Sequence, residues 1–324
     1  MATVSRRLLR SLVSRRSFHL SSRLNIDPKT AEEIRIPVPW GYIAGKLWGE
    51  KTGQPIIALH GFLDNLSSFD NLCPLLDVPS VLCLEVHGHG QSSHIPNGMP
   101  LYYADYILHF RYLLKHLYKW DKDLVLMGHS FGSSVIFNYA AIYPEEVSKM
   151  INIDCGRYIN ASSLSGFIKE TRKSLDGFLD TEKIFDIKAY NFDDCVNHMM
   201  KVRNSLKLPV SQEKCILLAI RGTSNLGNGK YYFSHDRRFR NSSLGRNSFS
   251  YNLALASRIK CSVLNIRCTG RLRNEDYLHE EEKHVKVMNE YCPSFFDLVL
   301  EGSHHIHLEN PKAIAPHINK FLNS

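Results

Sequence analysis

The chain has 324 residues, of which 44% are hydrophobic and 22% charged, enough for one large domain or for a domain carrying an insertion. The formal net charge is +8, but the first 26 residues, MATVSRRLLRSLVSRRSFHLSSRLNI, hold six arginines and no acid. Taking those six charges away leaves about +2, so the body of the chain lacks the basic footprint that nucleic acid requires. No stretch reaches the roughly 18 apolar residues of a membrane span. The eight cysteines include no CxxC pair, a usage of buried reduced thiols rather than of a disulfide or zinc framework.

The Arg-rich, Ser-rich, acid-free segment 1–26 reads as a mitochondrial presequence addressing the protein to the matrix. Leu8, Leu9 and Leu12 fall on one side of a helix there. Cytoplasmic or peroxisomal placement is the alternative, although the C-terminal FLNS is not a peroxisomal tripeptide.

After that segment, residues 27–155 alternate strand-like and helical patterns. Strands are predicted near 33–38, 41–48, 55–59, 81–86, 123–127 and 149–154. The first two turn at Trp40-Gly41 as an antiparallel hairpin. Runs such as PIIALHG and DLVLMGH are apolar on both faces, as in a parallel sheet covered by helices on each side. The aromatic run LYYADYILHFRYLLKHLY has helical spacing and reads as a core-facing helix. Residues 156–258 lack core-strand patterning and read as an inserted helical cap, since structureless loops of that length are uncommon. Within it, RRFR at 237–240 reads as a solvated face or a site for an acidic group. Residues 259–324 resume the pattern, with strands near 262–267 and 295–300.

The sequence GHSFG at 128–132 fits G-x-S-x-G, with the strand before it and the helix after it that this nucleophile turn needs. Gly128 and Gly132 are tiny where neighbouring backbone approaches Ser130, and His129 completes the turn. A serine nucleophile needs amide donors for the oxyanion. Phe131 follows the nucleophile, and His60-Gly61-Phe62 follows the third strand, so the amides of Phe62 and Phe131 are the candidates. A base is offered by GSHHIH at 302–307. His304 is the first choice and His305 the second, with His307 expected to pack. His87 and His89 in EVHGHGQ read as turn residues, because no carboxylate or cysteine spacing supports a metal.

With these motifs in place the chain resembles the α/β-hydrolase superfamily over about residues 33–322. VHGHGQS and YPEEVSKMINID are similar to its turn and strand signatures. More narrowly, IRIPVPWGYIAGKLWG and GKYYFSHDRRFR look like the eukaryotic serine hydrolase-like proteins. The resemblance implies an α/β-hydrolase fold: a mostly parallel eight-stranded sheet with helices on both faces and an inserted helical cap. It also implies a third catalytic residue, usually an Asp just after the seventh strand. There the chain reads LNIRCTGRLRNED: Cys268 replaces a glycine and Arg271 stands in the acid's place, where a guanidinium has no acceptor for the histidine N–H. Some relatives carry the acid after strand six, where Asp154 stands; Glu275 and Asp276 are the alternatives.

The expected activity is serine hydrolysis of a carboxylic ester, thioester or similar acyl bond in a small-molecule substrate, without cofactor or metal. Two other readings stay open: a non-catalytic binding protein of the same fold, and a carbon–carbon bond hydrolase. Epoxide hydrolase or dehalogenase chemistry needs an Asp where Ser130 stands. Whether the protein is a monomer or a homodimer is not decided by the sequence.

Overall fold

A computed structural model describes residues 31–155, 164–182, 187–241, 248–270 and 275–324. The basic segment 1–26 and Arg271 lie outside the described residues. In chain order the elements begin with β1 (Ala31–Val38), β2 (Gly41–Gly49), β3 (Ile56–Leu59), β4 (Ser80–Leu84) and α1 (Tyr103–Tyr112). Next come β5 (Leu124–His129), α2 (Phe131–Ile142) and β6 (Val147–Ile153). An insertion follows, with α3 (Leu164–Glu182), α4 (Phe192–Ser205), α5 (Gln212–Gly222), β7 (Thr223–Gly227), β8 (Lys230–Phe233) and α6 (Phe249–Ala256). The chain closes with β9 (Ser262–Cys268), α7 (Glu275–Tyr291), β10 (Phe295–Leu300), α8 (Ile306–Glu309) and α9 (Pro311–Leu322).

Eight strands form one sheet in the order β1-β2-β4-β3-β5-β6-β9-β10. The hairpin strand β2 pairs antiparallel with β1 and β4, and the remaining pairs run parallel. This is the α/β-hydrolase architecture implied by the sequence resemblance. All four residues of β3 are buried because both faces are covered. Ile57 and Leu59 belong to one core, with Leu126, Phe137 and Met150. Ile56 and Ala58 belong to the other, with Met127, Ile151, Leu264 and Ile318. Side chains alternate along a strand, so successive residues feed opposite cores. The connection from β3 leads outward to β4, whereas the chain returns to β5 on its other side. Loops at the carboxyl ends of β3 and β5 therefore diverge, opening the crevice where open α/β sheets take ligands.

The aromatic run forms α1 and buries Tyr103, Tyr106 and Phe110. The insertion differs from its sequence reading in two respects. It contains a hairpin, β7–β8, turning through Gly227, Asn228 and Gly229, all with positive φ. The Asn-Gly signal for such a turn was hidden in a polar stretch. Arg238 is also not solvated. It is buried, donates to the carbonyls of Ile95, Pro96 and Met99, and pairs with Asp236. The reason is that the 95–99 loop gathers three carbonyls within reach of one side chain, and a guanidinium supplies several donors in one planar group.

Replacing Arg238 by Met takes the guanidinium from the buried Asp236 carboxylate and from three carbonyls, so stability is expected to fall by about 3–5 kcal/mol, measured by urea unfolding. A loss under about 1 kcal/mol would mean that water satisfies those groups.

Candidate active site

The turn from β5 into α2 sets the backbone of Ser130 at φ 49°, ψ −111°, a conformation that costs a non-glycine residue about 1–3 kcal/mol. Its neighbours explain the two glycines. A Cβ on Gly132 would stand 2.1 Å from the Leu59 carbonyl oxygen, and one on Gly128 would stand 2.5 Å from the Ser133 nitrogen. The Ser130 amide donates to the Ile153 carbonyl at 3.0 Å, which fixes the turn to the end of β6. Ser130 itself stays partly exposed. Phe131 begins α2, and a first-turn helical N–H has no acceptor within its own helix.

Asp154 follows β6 directly and is buried, with φ 51°. Its amide donates to the Ile266 carbonyl at 2.7 Å, and its Oδ1 accepts the Cys268 amide at 2.7 Å. Its other oxygen, Oδ2, lies 2.5 Å from His304 Nδ1. Cys268, whose position in the sequence had suggested a lost catalytic motif, thus serves the carboxylate through its backbone. His304 sits between β10 and α8, in a loop tied to the end of β9 by the Gly270 amide on the Gly302 carbonyl at 2.8 Å. A second tie comes from the nucleophile turn, where His129 Nε2 donates to the His304 carbonyl at 2.9 Å.

The structure therefore brings Ser130, Asp154 and His304 to the carboxyl ends of β5, β6 and β10. Glu275, by contrast, opens α7 and is exposed; Asp276 follows it, its side chain outside the described residues. His305 turns away from the carboxylate that His304 meets, its Nε2 3.3 Å from Asp64 Oδ2. His307 is buried, with its ring 5.1 Å from that of Phe69 and 4.0 Å from that of His129. Phe62 is 37% exposed, and its ring stands 5.9 Å from that of Phe131. The two candidate oxyanion residues thus face each other across the crevice. A Cβ on Gly61 would lie 2.6 Å from His129 Nδ1, so only glycine lets the β3 loop pass this close to the nucleophile turn.

Asp64 is the residue that sequence reasoning missed. It is buried beneath the same loops, pairs with Arg203 of α4, and lies 3.8 Å from His129 Nδ1. Burial alone would raise its carboxyl, but His305 and Arg203 outweigh that and hold it well below the usual carboxylate range. Burial, with His304 and His305 nearby, holds His129 well below the ordinary histidine value, and burial does the same for His307. The available signal was an acid three residues past Gly61 in HGFLD. Arg203, on an amphipathic helix, gave none. His87 and His89 do lie in a turn, but buried within it. Among the described residues no group of three or more His, Cys, Asp or Glu could hold a metal ion.

The α/β hydrolase fold family matches residues 54–206. A probable serine hydrolase of Drosophila melanogaster is 37% identical over 90% of this chain and 87% of its own length. Serine hydrolase-like protein 2 of Homo sapiens is 28% identical over 92% of this chain and 96% of its own. Among solved structures, a hypothetical protein of Pseudomonas aeruginosa PAO1 superposes with a TM-score of 0.76 at 27% identity, covering 90% of this chain and 98% of that one. The thioesterase domain of the curacin biosynthetic pathway shares the fold, with a TM-score of 0.71 at 20% identity over 89% of this chain and 98% of that domain.

A carboxyl lowered on folding stabilises the protein above its unfolded value, and that contribution is lost as pH falls through the folded one. The stability gap between wild type and Asp64→Asn is thus expected to be about 3–5 kcal/mol at neutral pH. It should narrow only below about pH 3.8. Urea unfolding of both proteins at pH 7, 5 and 3.5 checks this. Narrowing already between pH 7 and 5 would assign the gap to the surrounding histidines instead.

Proposed function

The chain belongs to the α/β-hydrolase superfamily, and on that premise we propose that it is a serine hydrolase cleaving a carboxylic ester, thioester or similar acyl bond. The observation that carries the reading is the 2.5 Å contact between His304 Nδ1 and Asp154 Oδ2, one strand from a serine held in a strained turn. The names borne by its relatives, serine hydrolase and serine hydrolase-like protein, point the same way.

Ser130 Oγ attacks the acyl carbon while His304 Nε2 takes its proton. Asp154 accepts the Nδ1–H, which selects the tautomer with a free Nε2 and stabilises the imidazolium as it forms. The amides of Phe62 and Phe131 hold the tetrahedral oxyanion. Collapse expels the alcohol or thiol, which leaves with the proton from His304, and an acyl-Ser130 ester remains. Water then attacks that ester with His304 again as base, releasing the acid and restoring the serine. The insertion acts as a cap. Phe239 stands against Phe62 at 5.6 Å between ring centres, so that side of the crevice presents apolar surface to an acyl group.

A fluorophosphonate probe is expected to label the wild type and not Ser130→Ala. In ester hydrolysis, Asp154→Asn should lower kcat by about 10⁴, whereas Glu275→Gln should leave it unchanged. A well-folded wild type that neither labels nor hydrolyses esters, thioesters or small acylating reagents would instead mark a binding protein of this fold.

A further inference from the structure

We infer that His89 is a positioning residue for the oxyanion loop, and that the insertion holds it in place through Phe239; this rests on the Ser130 hydrolase reading above. His89 lies in the turn after β4, flanked by Gly88 at φ 71° and Gly90 at φ 51°. A Cβ on Gly90 would stand 1.8 Å from Glu85 Oε1, so the turn has one way to fold. Within it the imidazole is fully buried and both of its nitrogens are engaged. Nδ1 lies 3.2 Å from the His87 carbonyl oxygen, which can only accept, so Nδ1 carries the proton. Nε2 accepts the Leu63 amide at 3.2 Å. The two partners together fix the neutral tautomer, since an imidazolium has no lone pair to offer. Burial, reinforced by His60 nearby, holds this histidine well below its ordinary value, so the acceptor persists at physiological pH.

Leu63 needs that acceptor. It adopts φ 57° and is 40% exposed, so neither conformational preference nor burial holds it there. The amide that His89 binds is half of the peptide joining Phe62 to Leu63. Rotation of that plane would turn the backbone of Phe62, whose own N–H is the second oxyanion donor in the hydrolase reading. His60 beside it contributes differently, donating from Nδ1 to the Gly61 carbonyl at 2.8 Å and accepting the Val86 amide at 3.3 Å. His60 therefore ties the start of the loop to the same β4 turn, and His89 sets the plane after Phe62.

The insertion closes the other side of the imidazole. Phe239 stacks on His89 with 4.2 Å between ring centres and 29° between planes. The Asp236 amide donates to the Gly88 carbonyl at 2.7 Å, and the missing Cβ of Gly88 leaves room for the Phe239 ring, whose Cζ would otherwise be 2.8 Å away. Arg238, between Asp236 and Phe239, is clamped to the 95–99 loop. A residue of the insertion thus reaches the peptide that follows Phe62 through one stacked ring and one hydrogen bond.

The test uses the full chain, a short p-nitrophenyl ester as substrate, and amide exchange. His89→Phe keeps the stacking and removes the acceptor. It is expected to lower kcat about 10- to 100-fold, the scale of a 1 Å misplacement, while KM stays within about threefold. His89→Asn, which offers a carbonyl oxygen, should restore most of that loss, a rescue that a packing role would not produce. Leu63 amide exchange should accelerate in the Phe variant and not in the Asn variant. Should His89→Phe fail to fold, Phe239→Leu is expected to give a fall in kcat at constant KM. A folded His89→Phe protein with wild-type kcat overturns the inference. If the wild type does not hydrolyse esters at all, the hydrolase reading fails first, and Leu63 exchange unchanged by His89→Phe separately removes the hydrogen bond on which the positioning role stands.

Discussion

A buried carboxylate is tolerated only when its oxygens are matched by donors, because an uncompensated charge in a protein interior costs several kcal/mol. Asp154 meets that constraint with parts from three places in the chain. Its position comes from the end of β6, one donor comes from the last backbone amide of β9, and the other is the His304 ring after β10. None of these pieces is near another in sequence. The carboxylate can therefore be satisfied only when the parallel strands β6, β9 and β10 are in register, and once satisfied it fixes the ring to which it is bound. Strand pairing and histidine orientation are in this sense one event.

A second layer of buried charge joins the insertion to the sheet. Arg203 of α4 meets Asp64 in the β3 loop. Arg221 at the end of α5 meets Glu85 after β4 at 2.6 Å and Glu33 on β1 at 2.8 Å. Arg238 grips the 95–99 loop. Each arginine comes from the insertion, and each accepting group belongs to the sheet side or to the arginine's own turn. Guanidinium suits the task, since its several donors lie in one plane and its charge persists when buried. Such pairs contribute less to net stability than to a unique seating, because desolvation offsets much of the attraction.

The inner strands were legible because burial on both faces leaves apolar runs that few other structures produce, and with the partly exposed β1 and β10 all eight were found within a few residues of their ends. Ser130 and its two glycines were legible for a steric reason: the turn admits almost no other sequence. The buried partner of His304 was harder. Arg271 stands where the sequence resemblance implied an Asp, and only the parallel pairing of β6, β9 and β10 brings Asp154 to His304, a relation that no local pattern encodes. Asp64, Arg203 and Arg238 were hidden for a related reason. A charged residue looks solvated in sequence, and its burial depends on partners far along the chain, 143 positions away for Arg238 and Ile95. The β7–β8 hairpin was missed because polar residues around its Asn-Gly turn masked short, half-buried strands.

The insertion leaves the sheet after β6 and returns at β9, and these two strands are nearest neighbours, with Ile153 opposite Ile266. Because they run parallel, the segment leaves at the carboxyl edge of the sheet and returns at the amino edge, so whatever lies between them closes a loop across one fixed strand length. Loop-closure entropy then grows slowly with length, about 0.6 kcal/mol for each doubling. The sheet is thermodynamically almost indifferent to how long the intervening segment becomes. Descendants of this chain could exchange or enlarge that segment without disturbing the strand register. The residue at the point of departure cannot drift in the same way, because the first position outside β6 is Asp154.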